Sequence, residues 1–238
     1  MFVPLTDDNP LIAIPYQFVT VGLIVANVFA FFMVEGIAGP QAIGFALVPA
    51  EFVREGLFGP VVAGERFDGF DVPERVTLFS YMFMHADVLH LAGNMLFLWV
   101  FGDNVEDAMG HVKFLIFYLL CGLAGGLAHT FMMAGTGFAG APLIGASGAV
   151  AGVVAAYLML HPRVRLWVLV LRFIPLKVSA LWALGAWIAM QFIMAFNSTT
   201  DPVAWWAHVG GLVCGAVLIL FMRRTGVPLF DRGLETVA

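Results

Sequence analysis

Residues 145–160 of this 238-residue chain have the sequence GASGAVAGVVAAYLML, in which a serine flanked by small residues opens an apolar run. Ser147 follows a segment rich in glycine, a residue that allows backbone conformations costly for others. A helix over residues 147–160 would be about 21 Å long at about 1.5 Å per residue. The hydrocarbon core of a bilayer is about 30 Å thick. We therefore predict a helix that begins part-way down a membrane, with Ser147 at its N-terminus.

The composition places the rest of the chain in a membrane as well. Hydrophobic residues make up 61% of the chain and charged residues only 11%, too few to coat a soluble domain of this length. The 23 Phe residues and the net charge of -5 argue against disorder and against nucleic-acid binding. The two cysteines, Cys121 and Cys214, lie in apolar stretches, and we interpret both as buried packing thiols.

Six apolar segments are predicted to be membrane-spanning helices, which need about 20 mostly apolar residues unless they begin inside the membrane. They are residues 16–34, 88–105, 112–134, 147–160, 178–196 and 203–222. The predicted fold is an all-α polytopic membrane protein with three parts: an N-terminal tail (1–15), a six-helix membrane domain (16–222) that includes a long loop 1 (about 35–80), and a C-terminal tail (223–238). Residues 162–177 are interpreted as a loop or short interfacial hairpin, because Arg172 at mid-membrane would be costly.

The distribution of Lys and Arg predicts the orientation of these spans. The two tails and loops 2 and 4 would share one side, and they hold most of the basic residues: Lys113, Arg163, Arg165, Arg172, Lys177, Arg223, Arg224 and Arg232. Both termini are therefore predicted to be cytoplasmic. A seventh span through residues 162–177 is the alternative and would place the C-terminus outside. The acidic N-terminal tail, without a transit-peptide pattern, favours the plasma membrane of a prokaryote.

Polar side chains inside predicted spans are functional candidates, because burying them in lipid is costly. His90 and Asn94 share one face of the second helix, since they are four residues apart. Ser147 and His208 lie near the starts of the fourth and sixth spans. Spans two, four and six all begin on the non-cytoplasmic side, so these residues are predicted at similar depth in the outer half of the membrane. Hydrogen bonding between helices is the alternative role for Asn94.

Small residues could bring the fourth and sixth spans together. A G-x-x-x-G pattern occurs at residues 148–152 and again at 211–215, and alone it is typical of a helix-packing face. Close packing would also bring His208 near Ser147, as a serine nucleophile requires of its base. A nucleophile, a base and separate oxyanion donors are the minimum for acyl transfer. No acidic residue is placed to orient His208, so we expect a Ser/His dyad rather than a triad.

Three ordered motifs resemble those of the rhomboid-family intramembrane serine proteases: HLAGN at 90–94, GASG at 145–148 and AHVGG at 207–211. The resemblance covers about residues 79–222, and it includes His85 and the polar segment around Glu106. It implies a six-transmembrane-helix rhomboid-like bundle in the lipid bilayer, without metal or cofactor. It also implies that the substrates are transmembrane segments of other proteins.

The resemblance implies a role for each candidate residue. Ser147 would be the nucleophile and His208 the general base, while His90, Asn94 and the backbone N–H of Ser147 would form the oxyanion hole. Catalysis would then need no metal and no cofactor.

Two positions depart from the family pattern. Ala151 stands where many members have an aromatic residue on which the histidine stacks. Loop 1 lacks the common Trp-Arg pair, and Arg75 is the nearest candidate for its arginine.

Other functions are alternatives to that of a serine protease. A non-catalytic rhomboid-like protein that binds and escorts membrane proteins would need the fold but not the dyad. A transporter could use intramembrane histidines as a proton path, although no internal repeat is evident. The H-E-x-x-H motif of a metal-dependent protease is absent, while His85, His90 and His129 could together bind a metal or haem. The oligomeric state follows from none of these patterns.

Overall fold

The computed structural model describes residues 2–36, 39–57, 69, 72–170, 173–197 and 203–231. The elements in chain order are β1 (Phe2–Asp7), α1 (Phe18–Phe29), α2 (Pro49–Glu55), α3 (Glu74–Ser80), α4 (Val88–Met109), α5 (His111–Met133), α6 (Ser147–Leu160), β2 (Arg165–Val170), β3 (Ile174–Ser179), α7 (Ala180–Asn197) and α8 (Trp205–Met222). A π-helical segment, Ala30–Glu35, extends α1, and short 3-10 helices cover Gly39–Phe45 and Tyr81–Phe83.

Four helices of the described chain, α4, α5, α7 and α8, are long and apolar enough to cross a membrane. The first predicted span is a shorter apolar helix over Phe18–Val34, and the fourth is α6. The fold is therefore mostly helical and suits a multi-pass membrane protein, while the count of six spans stays a prediction. The predicted bounds of the fourth helix, residues 147–160, are those of α6.

The central element is α6, whose residues 148–157 are all buried. It packs against α4, α5, α7 and α8. A Cβ on Gly211 would overlap the carbonyl oxygen of Gly148, and a Cβ on Gly215 would overlap that of Gly152. The predicted close approach of the fourth and sixth spans is therefore observed, as backbone-to-backbone packing of α6 and α8.

The all-α prediction is wrong for one part of the molecule, where three strands form an antiparallel sheet in the order β1-β2-β3. The segment between α6 and α7 is a β-hairpin, and the predicted N-terminal tail supplies the third strand on its far edge. Strand β2 begins with the alternation of a half-buried strand, since Leu166 and Val168 are buried while Arg165 and Trp167 are exposed. The sheet could not be predicted from the sequence because the partner strand lies at the opposite end of the chain. Arg172 lies outside the described residues.

Two neighbouring carboxylates near the end of α4 hold the N-terminal part of the chain. Asp107 accepts hydrogen bonds from the backbone N–H groups of residues 12–14. Glu106 accepts from the backbone N–H groups of Val19 and Thr20 in the first turn of α1. Because the N–H groups of a first helical turn have no partner within the helix, Glu106 acts as the cap of α1. Glu106 and Asp107 belong to the polar segment noted in the sequence after the second predicted span.

Candidate active site

Ser147 is the first residue of α6, and Gly145 controls the turn that leads into it. Gly145 has φ +120°, which residues with side chains rarely adopt. A Cβ there would also lie 2.8 Å from Cε1 of His90. Because α6 begins at Ser147, the first backbone N–H groups of the helix have no partner within it and can bind a negatively charged oxygen.

Loop 1 holds the segment that precedes Ser147. Leu47 and Leu143 form an antiparallel bridge with N–H to O=C distances of 3.1 and 2.8 Å. The N–H of Gly145 donates to the carbonyl oxygen of Tyr81 at 2.9 Å. The Leu47–Leu143 bridge anchors loop 1 to the site without the family's Trp-Arg pair, and Arg75 is exposed.

Ser147 and His208 are joined across α6 and α8. The Oγ atom of Ser147 lies 2.8 Å from Nε2 of His208, whose side chain is buried. Nδ1 of the same ring lies 2.7 Å from Oε1 of Gln191 on α7. With Nδ1–H donating to Gln191, Nε2 is free to accept the hydroxyl proton of Ser147. The arrangement provides a nucleophile and a neutral base in hydrogen-bond contact.

Gln191 is a residue of this site that was not predicted from the sequence. Its side chain is 1% exposed, in the middle of an apolar helix. The signal was available, because a buried amide inside a predicted span is as costly as the histidines that were singled out. The sequence alone did not show which helix Gln191 would face.

Two tryptophans hold the ring of His208 in place of the family's aromatic residue. The ring of Trp187 on α7 is stacked with it at 6.4 Å between centroids and an interplanar angle of 29°. Trp205 meets it edge-on at 5.9 Å and 89°. Ala151 belongs to the same packing cluster as Trp187, so its small side chain leaves that space to the indole of α7.

His90 faces the turn before Ser147. Its Nδ1 accepts a hydrogen bond from the N–H of Ala86 at 3.4 Å, which leaves the proton on Nε2. That Nε2 atom lies 2.9 Å from the position a Cβ on Gly145 would take, so the N–H donor is close to the backbone before Ser147. Asn94, one turn further along α4, donates through Nδ2 to the carbonyl oxygen of His90 at 3.2 Å. A side-chain amide carries two N–H donors, so a second one remains.

His85 lies outside the spans and packs against His90, with ring centroids 5.1 Å apart. Burial, and then the nearby His90, lower the pKa of His85 to about 4, so it is neutral at pH 7. Within the described residues, no three His, Cys, Asp or Glu side chains are grouped as a metal ion would require. The metal site that His85, His90 and His129 could have formed therefore has no support in this part of the chain.

Residues 73–225 match the family profile described as the Rhomboid domain. Rhomboid protein 1, mitochondrial, of Saccharomyces cerevisiae is 29% identical over 171 residues, covering 69% of this chain and 46% of that protein. RHOMBOID-like protein 6, mitochondrial, of Arabidopsis thaliana is 31% identical, and the match covers 63% of this chain and 45% of that protein. The human presenilin-associated rhomboid-like protein, mitochondrial, is 30% identical, and the match covers 56% of this chain and 34% of that protein. The chain thus spans less than half the length of these relatives.

Proposed function

The chain belongs to the rhomboid family, and we propose that it is an intramembrane serine endopeptidase that cleaves transmembrane segments of other membrane proteins. The observation that carries this proposal is the 2.8 Å contact between Oγ of Ser147 and Nε2 of His208. A non-catalytic escort protein with the same fold would have no need of that contact.

In the proposed reaction Ser147 attacks the scissile carbonyl carbon while its proton passes to Nε2 of His208. The developing oxyanion accepts hydrogen bonds from the backbone N–H of Ser147, Nε2–H of His90 and the second N–H of Asn94. The C–N bond then breaks, and the amine leaves with the proton from His208. Water, with His208 again as base, hydrolyses the ester on Ser147 and releases the second product.

The proposed substrate is a transmembrane helix that enters sideways between α4 and α7. Support comes from α7, the least buried of the four candidate spans in the described chain. The rings of Phe97 on α4 and Trp187 on α7 meet at 5.7 Å, so a substrate would separate an aromatic contact rather than a polar one. A peptide carbonyl within an α-helix is already hydrogen-bonded. Substrates are therefore expected to carry helix-weakening residues such as Gly or Pro near the cut.

We also propose a multi-pass placement with both termini in the cytoplasm of a prokaryote and the site in the outer half of the plasma membrane. The orientation rests on the distribution of Lys and Arg between the loops. The relatives named above are mitochondrial, so cell fractionation tests the choice of membrane. A C-terminal reporter fusion tests the orientation, and a reporter exposed outside would contradict it.

The proposal is tested with purified protein in liposomes and a reporter whose single transmembrane helix carries Gly and Pro. Wild type is expected to cleave the reporter and to be labelled by a fluorophosphonate probe. Ser147→Ala is expected to lose both, while the matched variant Ser179→Ala, in β3, keeps both. Cleavage by Ser147→Ala would overturn the proposal. Wild type that binds the reporter but neither cleaves it nor accepts the probe would favour the escort function.

A further inference from the structure

We infer that Gln191 on α7 is a positioning residue for His208, which it holds in the one tautomer that can accept a proton from Ser147. This inference rests on the proposed function and adds α7 to a Ser/His pair that is otherwise carried by α6 and α8. The contact that carries it is the 2.7 Å hydrogen bond between Oε1 of Gln191 and Nδ1 of His208.

A second contact fixes the orientation of the Gln191 amide. Its Nε2 donates to the carbonyl oxygen of Trp187, one turn earlier in α7, at 3.2 Å. A carbonyl oxygen can only accept, so the NH₂ group must face Trp187 and the oxygen must face His208. The flipped amide would direct NH₂ at Nδ1, place the ring proton on Nε2 and block proton transfer from Ser147. The backbone of α7 therefore selects the productive tautomer of His208.

The burial of Gln191 and His208 strengthens the preference for this tautomer. Gln191 is 1% exposed and His208 9% exposed, so water has little access to compete for either group. A buried polar atom without a partner is costly, so each amide atom of Gln191 must keep its partner. A neutral amide also orients the ring without adding a negative charge to an apolar site, where an isolated carboxylate would be costly to bury. Gln191 thus performs the orienting part of the role that an acidic residue has in a triad.

The position of α7 therefore becomes a condition for activity. Ser147 and His208 are held together by the packing of α6 against α8, but the tautomer of His208 is set from α7. A substrate that enters between α4 and α7 must therefore leave α7 docked against α8, because displacing α7 from α8 would weaken the bond from Gln191. The base is oriented only while α7 is docked against α8.

Three variants test the inference. Gln191→Leu keeps the size of the side chain but removes the acceptor. Gln191→Glu keeps an acceptor oxygen for Nδ1–H whether the carboxyl group is ionised or not. Asn197→Leu is the matched control, because Asn197 is an exposed amide at the end of α7 that donates to Ile193 in the same way but does not contact the site. Thermal unfolding establishes that each variant is folded.

Gln191→Leu is expected to lower kcat about 10- to 100-fold, the loss expected for a hydrogen bond to a group that becomes charged in the reaction. KM should be unchanged, because Gln191 does not touch the substrate. Gln191→Glu is expected to recover most of this loss, and Asn197→Leu should match wild type. Wild-type kcat in folded Gln191→Leu, or an equal loss in Gln191→Glu, would overturn the inference.

A spectroscopic measurement separates this inference from the proposed function. The ¹⁵N chemical shifts of histidine distinguish the Nδ1–H from the Nε2–H tautomer, and the His208→Gln variant identifies the signal of His208. Wild type should show Nδ1–H, and Gln191→Leu should show an increased Nε2–H population whether or not the protein cleaves the reporter. An unchanged tautomer in Gln191→Leu would overturn the inference. Failure of wild type to cleave or to accept the probe would overturn only the proposed function.

Discussion

Gly211 on α8 packs against the backbone of Gly148 on α6 so closely that a Cβ on Gly211 would overlap the carbonyl oxygen of Gly148. Gly148 directly follows Ser147, and Gly211 lies about one helical turn after His208. This backbone contact therefore sets the separation of the two side chains. The Ser147–His208 hydrogen bond is a consequence of helix packing.

Gly211→Ala is expected to disrupt both the packing and the dyad. Inserting a methyl group into a closely packed core typically costs about 1–3 kcal/mol, and here the obstacle is backbone that cannot rotate away. We expect a lower melting temperature and a loss of reporter cleavage of at least about 100-fold, since a shift of about 1 Å can have that effect on catalysis. Thermal unfolding and cleavage rates in the same liposomes measure the two effects.

Gly185→Ala is the matched control for that variant. Gly185 lies within α7, and a Cβ there would meet no atom within 4 Å. Because alanine is a better helix former than glycine, this variant should keep wild-type cleavage and gain up to about 1 kcal/mol of stability. Wild-type cleavage by Gly211→Ala would show that the close contact is not required.

Asn94→Ala tests the proposed oxyanion hole. Removing one oxyanion donor typically costs about 10²- to 10³-fold in kcat, so cleavage should be weakened but not abolished. The change also deletes the bond from Asn94 to the carbonyl oxygen of His90. Asn27→Ala controls for this loss, because Asn27 makes the same kind of bond to Leu23 in α1, away from the site. Equal effects of the two variants on kcat would assign Asn94 a structural role.

The start of α6 and its contact with α8 could be predicted because both depend on local patterns. The glycine-rich segment before Ser147 and the short apolar run after it fix where the helix begins. The small residues of α6 and α8 recur at the helical period, so they mark the faces that meet. Such patterns are visible in one sequence because each lies within a single helix.

The sheet and the contact from Gln191 could not be predicted in the same way. Strand β1 pairs with β2 from the opposite end of the chain, and no local pattern identifies that partner. Gln191 reaches His208 only because of how α7 is rotated against α8, which neither helix encodes alone. For the same reason, the sequence did not predict a residue that orients His208.

Glu106→Ala is expected to destabilise the fold rather than the chemistry. Glu106 is fully buried and accepts hydrogen bonds from the N–H of Val19 and from the N–H and hydroxyl group of Thr20, and its Oε1 also contacts Nδ1 of His111. Leaving such donors unpaired costs about 1–3 kcal/mol each, so we expect a loss of at least about 3 kcal/mol. Glu106→Gln keeps one acceptor oxygen and should lose less. Chemical denaturation in detergent measures both.

Asp8→Ala is the control for the loss of an acidic side chain. Asp8 pairs with Lys177 at 2.6 Å on the surface, and both side chains are substantially exposed. Exposed ion pairs contribute about 0–1 kcal/mol. If Asp8→Ala and Glu106→Ala destabilised the protein equally, Glu106 would not be the cap of α1.

Glu74, at the start of α3, is a buried carboxyl group that makes the stability of loop 1 depend on pH. Its Oε2 accepts hydrogen bonds from the hydroxyl of Thr77 at 2.7 Å and the N–H of Val48 at 3.4 Å. Burial raises the pKa of Glu74 from 4.5 to about 7; the hydrogen bond from Thr77 opposes this shift, and the neighbouring Glu51 adds to it. Between these two values the folded protein keeps a proton that the unfolded chain has lost.

The contribution of Glu74 to stability is therefore complete below about pH 4.5 and is lost as the pH rises through about 7. A shift of this size corresponds to up to about 3 kcal/mol. The free energy of unfolding of wild type should fall by up to that amount, relative to Glu74→Gln, between pH 4.5 and pH 8. Glutamine mimics the protonated carboxyl group and does not titrate, so the difference between the two proteins reports the titration of Glu74 together with its interaction with Glu51. Parallel pH profiles for the two proteins would mean that Glu74 ionises alike in the folded and unfolded states.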